Sequence, residues 1–227
     1  MKDLCDKLQI VGDDISNTSD HYQRKQNRVQ LLAVSKRHPA SAIREAFACG
    51  QTAFGENYAQ EMLEKAELLS DLAIEWHFIG PLQSNKTRPI AAAADWVHAL
   101  DRLKIARRLS EQRPDDLPPL SVCLQVNISE EESKSGVLPH EVSALAKEIA
   151  VLPNIKLRGL MAIPKVETDF NKQREIFAKL RGLQEELIKK GLQLDTLSMG
   201  MSADMPAAIA EGATIVRIGT AIFGKRV

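Results

Sequence analysis

Eight short apolar, largely β-branched runs, separated by longer stretches of helical periodicity, constrain the fold of this chain more than any other feature. They are "QLLAVS" (30–35), "TAFGE" (52–56), "IEWHFIG" (74–80), "DWVHAL" (95–100), "LSVCLQVNI" (120–128), "KLRGLMAI" (156–163), "LDTLSM" (194–199) and "ATIVRIG" (213–219). Strands that alternate with helices form a parallel sheet, because each crossover helix returns the chain to the same end. Eight such units in 227 residues predict a single α/β domain over residues 1–227, closed as a (β/α)8 barrel of the TIM type. No GxGxxG or GxxxxGK[ST] sequence follows any run, which removes the usual dinucleotide and P-loop readings.

The intervening segments carry helical signals. Val142, Leu145, Ala146 and Ile149 share one face, as do Phe177, Leu180, Leu183 and Leu187, with Gly191 as the expected stop. Pro39 opens the helix after the first run and Gly50 closes it. Residues 2–27 read as an extra N-terminal helix.

Charge and cysteine usage narrow the function classes. Thirty basic residues balance thirty acidic ones, so no net field draws the chain to nucleic acid or anionic lipid. No apolar run approaches the roughly 20 residues of a membrane span, and the N-terminus lacks a signal-peptide stretch. Cys5, Cys49 and Cys123 are far apart, form no CxxC and lie near no histidine. Unpaired structural thiols in a reducing cytoplasm are expected, with neither a disulfide nor a metal site.

In a barrel of this type the working residues follow the strands, at one end. The loops there, including "SKRHP", "GENYAQE", "GPLQSNK" and "GMSADM", are rich in glycine, serine, asparagine and lysine. The opposite loops, such as "EQRPDDLPP", read as plain connectors. The last two loops, "SMGMSADM" (198–205) and "RIGTAIFG" (217–224), occupy positions that often cradle phosphate. There Gly200 and Gly219 let backbone amides approach an anion, and Ser202 and Thr220 add hydroxyl donors. An N-cap and a tight turn would use the same residues.

Arg217 sits inside an apolar run, where a guanidinium needs either an internal carboxylate or a ligand atom to offset desolvation. Lys36 ends the first run. A lysine losing hydration in a barrel mouth becomes a nucleophilic amine able to form a Schiff base, whereas a solvated loop lysine does not. An aldehyde bearing a phosphate and an aromatic ring nitrogen satisfies all three features, and pyridoxal 5′-phosphate is such a molecule.

Seven segments in order carry a resemblance across nearly the whole chain: "LLAVSK", "FGENYAQE" (54–61), "WHFIGPLQSNK" (76–86), "NISEEESKSG" (127–136), "RGLMAIP" (158–164), "LSMGMSADM" (197–205) and "VRIGTAIFG" (216–224). By these the sequence resembles the pyridoxal-phosphate homeostasis proteins, the YggS/PROSC-like family. "RHP" after Lys36 departs mildly from the more usual small or basic pair before proline.

The resemblance implies a barrel similar to the N-terminal domain of alanine racemase. By position, Lys36 would form the Schiff base, Arg217 would face the pyridine nitrogen, and Ser202, Gly219 and Thr220 would hold the phosphate. Asn57 would lie near the cofactor, with Met199 and Gly200 in the phosphate loop. His77, Gln83, Asn85, Lys86 and Lys134 are family-typical without an implied contact. It further implies a cytoplasmic, monomeric protein that buffers pyridoxal phosphate and delivers it to apo-enzymes requiring it, affecting amino-acid and keto-acid balance. In alanine racemase the second acid–base tyrosine comes from a separate C-terminal domain. This chain ends at Val227, eight residues after Gly219, and Tyr22 and Tyr58 match no such motif. Binding without turnover is therefore expected. A weak or specialised amino-acid racemase is the alternative, and a sugar-phosphate-binding barrel is a third reading.

Overall fold

In the computed structural model, which describes residues 3–24, 29–131 and 134–224, all eight expected strands form. They are β1 (Gln30–Val34), β2 (Ala53–Glu56), β3 (Glu75–Phe78), β4 (Trp96–Leu100), β5 (Leu120–Gln125), β6 (Ile155–Met161), β7 (Thr196–Ser198) and β8 (Ile215–Ile218). Each pairs in parallel with the next, and β8 returns to β1 with Leu32 beside Arg217, closing the barrel. Successive residues of a strand face opposite ways. Leu32, Val34, Ala53, Ile79 and Ile215 accordingly form a cluster inside the barrel. The outward residues, such as Ala33, Phe54, Phe78 and Val216, join the main core between strands and helices.

The described helices are α1 (Leu4–His21), α2 (Ala40–Ala48), α3 (Ala59–Leu68), α4 (Thr87–Ala93), α5 (Leu103–Gln112), α6 (Val142–Ala150), α7 (Phe170–Lys189), α8 (Met205–Ala210) and α9 (Thr220–Phe223). The faces read from sequence are the buried ones: Val142, Ala146 and Ile149 on α6, and Phe177, Leu180 and Leu187 on α7.

The N-terminal helix is more than an addition to the barrel. Asp3 caps α1 by accepting from the Asp6 amide, and Leu8, Val11 and Ile15 are buried along one stripe. That stripe packs against α8, α9 and α2. The helix after β8 is a single turn, so α1 fills the neighbouring place in the outer ring.

The cysteines correct the expectation of unpaired thiols. Cys5 at the start of α1 and Cys49, the C-cap of α2, form a disulfide with Cα atoms 5.3 Å apart. A separation of 44 residues hides a pair that the packing of α1 on α2 brings together. Cys123 is buried inside the barrel as a free thiol, and burial pushes its pKa up to about 12. No helix among the described residues is long and apolar enough to cross a membrane, and no cluster of metal-ligating side chains occurs among them.

Candidate functional site

The strand ends carrying the loops singled out above enclose a cavity of about 280 Å3. Lys36 lines it from the end of β1, Asn57 from β2 and Arg217 from β8. Ser202 lines it from the loop after β7, and Gly219 with Thr220 from the turn into α9. Six of the eight residues assigned from sequence thus meet in one place. Met199 does not: it is fully buried among outward-facing core residues. Gly200 does not line the cavity either; its carbonyl accepts from the Arg217 amide. Its φ of +94° and the 2.6 Å that would separate an added Cβ from that of Ala208 require glycine.

The turn that carries Lys36 is anchored from outside the barrel. Ser35 and Glu56 are fully buried, and the Ser35 hydroxyl donates to Glu56 Oε1 over 2.7 Å. Lys65 of α3, only 5% exposed, donates to Glu56 Oε1 at 2.6 Å, Glu61 Oε1 at 2.7 Å and the Ser35 carbonyl at 2.9 Å. Glu61 also accepts from the Arg37 amide. The peptide groups on both sides of Lys36 are therefore tied to α3. Arg37 adopts φ +63° there, an uncommon conformation for a residue with a Cβ, held by those bonds. Burial raises the Glu56 pKa, opposed by Lys65 and Ser35.

Arg217 is buried, and its partners are carbonyls and a hydroxyl. Nη1 donates to Ser198 O at 2.6 Å and Ser198 Oγ at 2.8 Å, and Nη2 donates to Ala162 O at 2.9 Å. Among the described residues no carboxylate reaches it within ion-pair distance; Asp204 acts on it only through space. Burial lowers its pKa to about 10, which leaves it a cation at neutral pH. Among the described residues, carbonyls and a hydroxyl thus stand where an internal carboxylate was the alternative.

Asn57 contributes a further polar group. Its Oδ1 is buried without a hydrogen-bond partner, which is costly unless a ligand donor satisfies it. Gly80 is required beside it, since a Cβ there would lie 1.9 Å from the Asn57 carbonyl oxygen.

The sequence missed several cavity residues. His38 lines the wall and stacks on Phe223 with ring centroids 5.2 Å apart, and Ile79, Ile163 and Met201 supply apolar surface. His38 lies two residues from Lys36, so proximity was the available signal. Of the family-typical residues, His77 is fully buried below the cavity, where its ring bonds to His98 and stacks on Trp96. Gln83, Asn85 and Lys86 belong to a 3-10 turn after β3 and its cap, and Lys134 lies in the loop after β5; none of these lines the cavity.

Comparison with known proteins agrees with this geometry. The family model described as alanine racemase, N-terminal domain, matches residues 13–227. A pyridoxal phosphate homeostasis protein of Pseudomonas aeruginosa is 56% identical over the whole chain and 97% of its own length. The chain belongs to the pyridoxal phosphate homeostasis family. The Escherichia coli K12 family member is 51% identical, with 100% of this chain and 98% of that protein aligned. Among solved structures, Synechococcus elongatus PipY with pyridoxal phosphate bound superposes with a TM-score of 0.84 at 38% identity, covering 97% of this chain and all of that one. Alanine racemase from Corynebacterium glutamicum shares the fold at 18% identity and a TM-score of 0.67, over 94% of this chain and 61% of that one.

Proposed function

We propose that this family member binds pyridoxal 5′-phosphate in the barrel-mouth cavity and acts as a carrier of the cofactor. The observation that supports this most is that Lys36, Arg217, Ser202 and Thr220 line one cavity. An amine there suits an aldehyde, a cation suits a ring nitrogen acceptor, and two hydroxyls suit a phosphate. Thr220 opens α9, where first-turn amides lack intrahelical acceptors and can add donors to that phosphate. The unpartnered Asn57 Oδ1 matches the phenolic hydroxyl of the same molecule. The cofactor supplies an aldehyde that captures amines reversibly. Lys36 would hold the cofactor through that aldehyde, and water or another amine could release it.

Arg217 donates from a group that stays charged, so it holds the ring nitrogen without giving it a proton. Storage suits that arrangement better than carbanion chemistry does. In its full form the reading is a cytoplasmic monomer that passes pyridoxal phosphate to apo-enzymes requiring it, without turnover. A second reading, slow amino-acid racemisation, is favoured by one observation: His38 is a titratable side chain in the cavity wall besides Lys36 and Arg217, and racemisation needs a second acid–base group.

The test is an absorption spectrum before and after borohydride, followed by peptide mapping. An imine band lost on reduction, with the label on Lys36 and absent in Lys36→Ala, is the expected result. A label on another lysine would overturn the assignment. Enantiomer production that disappears in both Lys36→Ala and His38→Ala would favour the second reading.

A further inference from the structure

Below the cavity, polar side chains run through the barrel interior where apolar packing would be ordinary. Ser198 Oγ, which accepts from Arg217, lies 2.8 Å from His98 Nδ1. His98 Nε2 lies 2.8 Å from His77 Nδ1. His77 Nε2 makes no hydrogen bond, and Glu75 Oε2 faces it at 3.5 Å as a charge contact. Both imidazoles and Ser198 are fully buried. Glu75 stands partly exposed at the opposite end, with its two oxygens accepting from Trp96 Nε1 and Gln30 Nε2.

The protons in this chain can be placed by elimination. Arginine has donors only, and the two Nη1 protons of Arg217 go to the Ser198 carbonyl and hydroxyl. Ser198 Oγ is thus an acceptor there and gives its own proton to His98 Nδ1. A bare Nδ1 puts the His98 proton on Nε2, from which it is donated to His77 Nδ1. His77 then carries its proton on Nε2, facing the Glu75 carboxylate. Reversing every neutral member would turn a bare His77 nitrogen toward that carboxylate and direct two donors at Ser198 Oγ, leaving the buried hydroxyl proton without its acceptor. Cation and anion at the two ends therefore enforce one direction.

We propose that His77 and His98 are positioning residues for the cavity, forming with Ser198 a one-way hydrogen-bond relay that holds Arg217, and that Glu75 biases it as the charge facing its far end. The relay balances the guanidinium with a carboxylate at the far end of the barrel. A carboxylate in direct contact would turn the arginine away from its ligand. What Arg217 meets in the cavity rests on the pyridoxal phosphate reading, whereas the relay itself does not.

Histidine ring 15N–1H correlation spectra of the full chain without added cofactor test the relay directly. Nε2–H tautomers at both His77 and His98 are expected, and an Nδ1–H tautomer at His98 would overturn the proposal. Titration with pyridoxal 5′-phosphate tests its consequence. His98→Leu should weaken binding about tenfold, the scale of one hydrogen bond made by a charged group, and shift the imine band. Cys123→Ala, an interior change outside the relay, should move neither. Equal effects from both variants would make His98 mere packing and refute the positioning role. Should His98→Leu fail to fold, Glu75→Gln at the exposed end should keep the His98 tautomer, which Ser198 sets, and still shift the band; an unchanged band there counts against the role of Glu75. Loss of all binding in the wild type alongside the expected tautomers would overturn the pyridoxal phosphate reading and leave the relay standing.

Discussion

Replacing Lys65 by methionine should destabilise the protein far more than an ordinary lysine substitution. Lys65 is 5% exposed and supplies three hydrogen bonds, two to carboxylates and one to the Ser35 carbonyl. Its loss leaves Glu56 fully buried, with Ser35 as its remaining donor on Oε1 and no partner on Oε2. Breaking a buried pair from one side costs about 3–5 kcal/mol. In a chain of this size that lowers the unfolding midpoint by about 6–20 °C, against a total stability of about 5–15 kcal/mol. The pH dependence gives the mechanism a signature. Burial already raises the Glu56 pKa above its ordinary value of 4.5, and Lys65 opposes that shift. A carboxyl raised on folding contributes stability that is present below its unfolded pKa and lost as pH rises through its folded pKa. Without Lys65 that folded pKa rises further, so the deficit should be largest near neutrality and shrink on acidification. Urea unfolding followed through the two buried tryptophans, Trp76 and Trp96, at about pH 7 and about pH 5 would measure it. A neutral-pH loss below about 1 kcal/mol, the scale of a surface pair, would refute the reasoning. So would a loss that grows in acid.

Gly80→Ala should cost about 1–3 kcal/mol or more by overpacking, because its Cβ would fall 1.9 Å from a backbone oxygen of Asn57. Cofactor titration should weaken with it, and an unchanged thermal midpoint would contradict the close approach. The Cys5–Cys49 bond closes a loop of 44 residues, for which chain entropy gives about 4 kcal/mol. Thiol counting after denaturation without reductant should find one thiol, Cys123, and Cys5→Ser should unfold at lower temperature under oxidising conditions only. Burial beside His77 and Arg217 holds His98 well below the usual imidazole range. A histidine depressed on folding gives stability that is present above its unfolded pKa of about 6.5 and lost as pH falls. Stability should therefore decline below about pH 6.5, and the decline should flatten in His98→Gln.

Strand positions were legible because burial on both faces writes an apolar run for each, and closure followed from their number. Lys36 and Arg217 stood out for a related reason, as charges at the end of or within such runs. The interior relay was not legible, since His77, His98 and Ser198 meet through barrel register across 21 and 100 residues. The same holds for the Lys65 anchor, whose partners come from β1, β2 and α3 with no motif linking them. Met199 illustrates the opposite limit: loop membership suggested a contact, but strand alternation turns its side chain toward the helices.

Lys36 and Arg217 come from opposite ends of the sequence yet stand on β1 and β8, the strands whose pairing closes the ring. The cavity therefore straddles the junction with the largest chain separation, where loop-closure entropy weighs most. A growing chain that has not reached β8 holds Lys36 and Ser202 without Arg217 and Thr220. A ligand that grips both strands acts as a clasp on that seam, adding RT ln(1 + [L]/Kd) to stability. Hydrogen exchange at the β1–β8 amides would then slow on loading more than exchange on the far side of the ring.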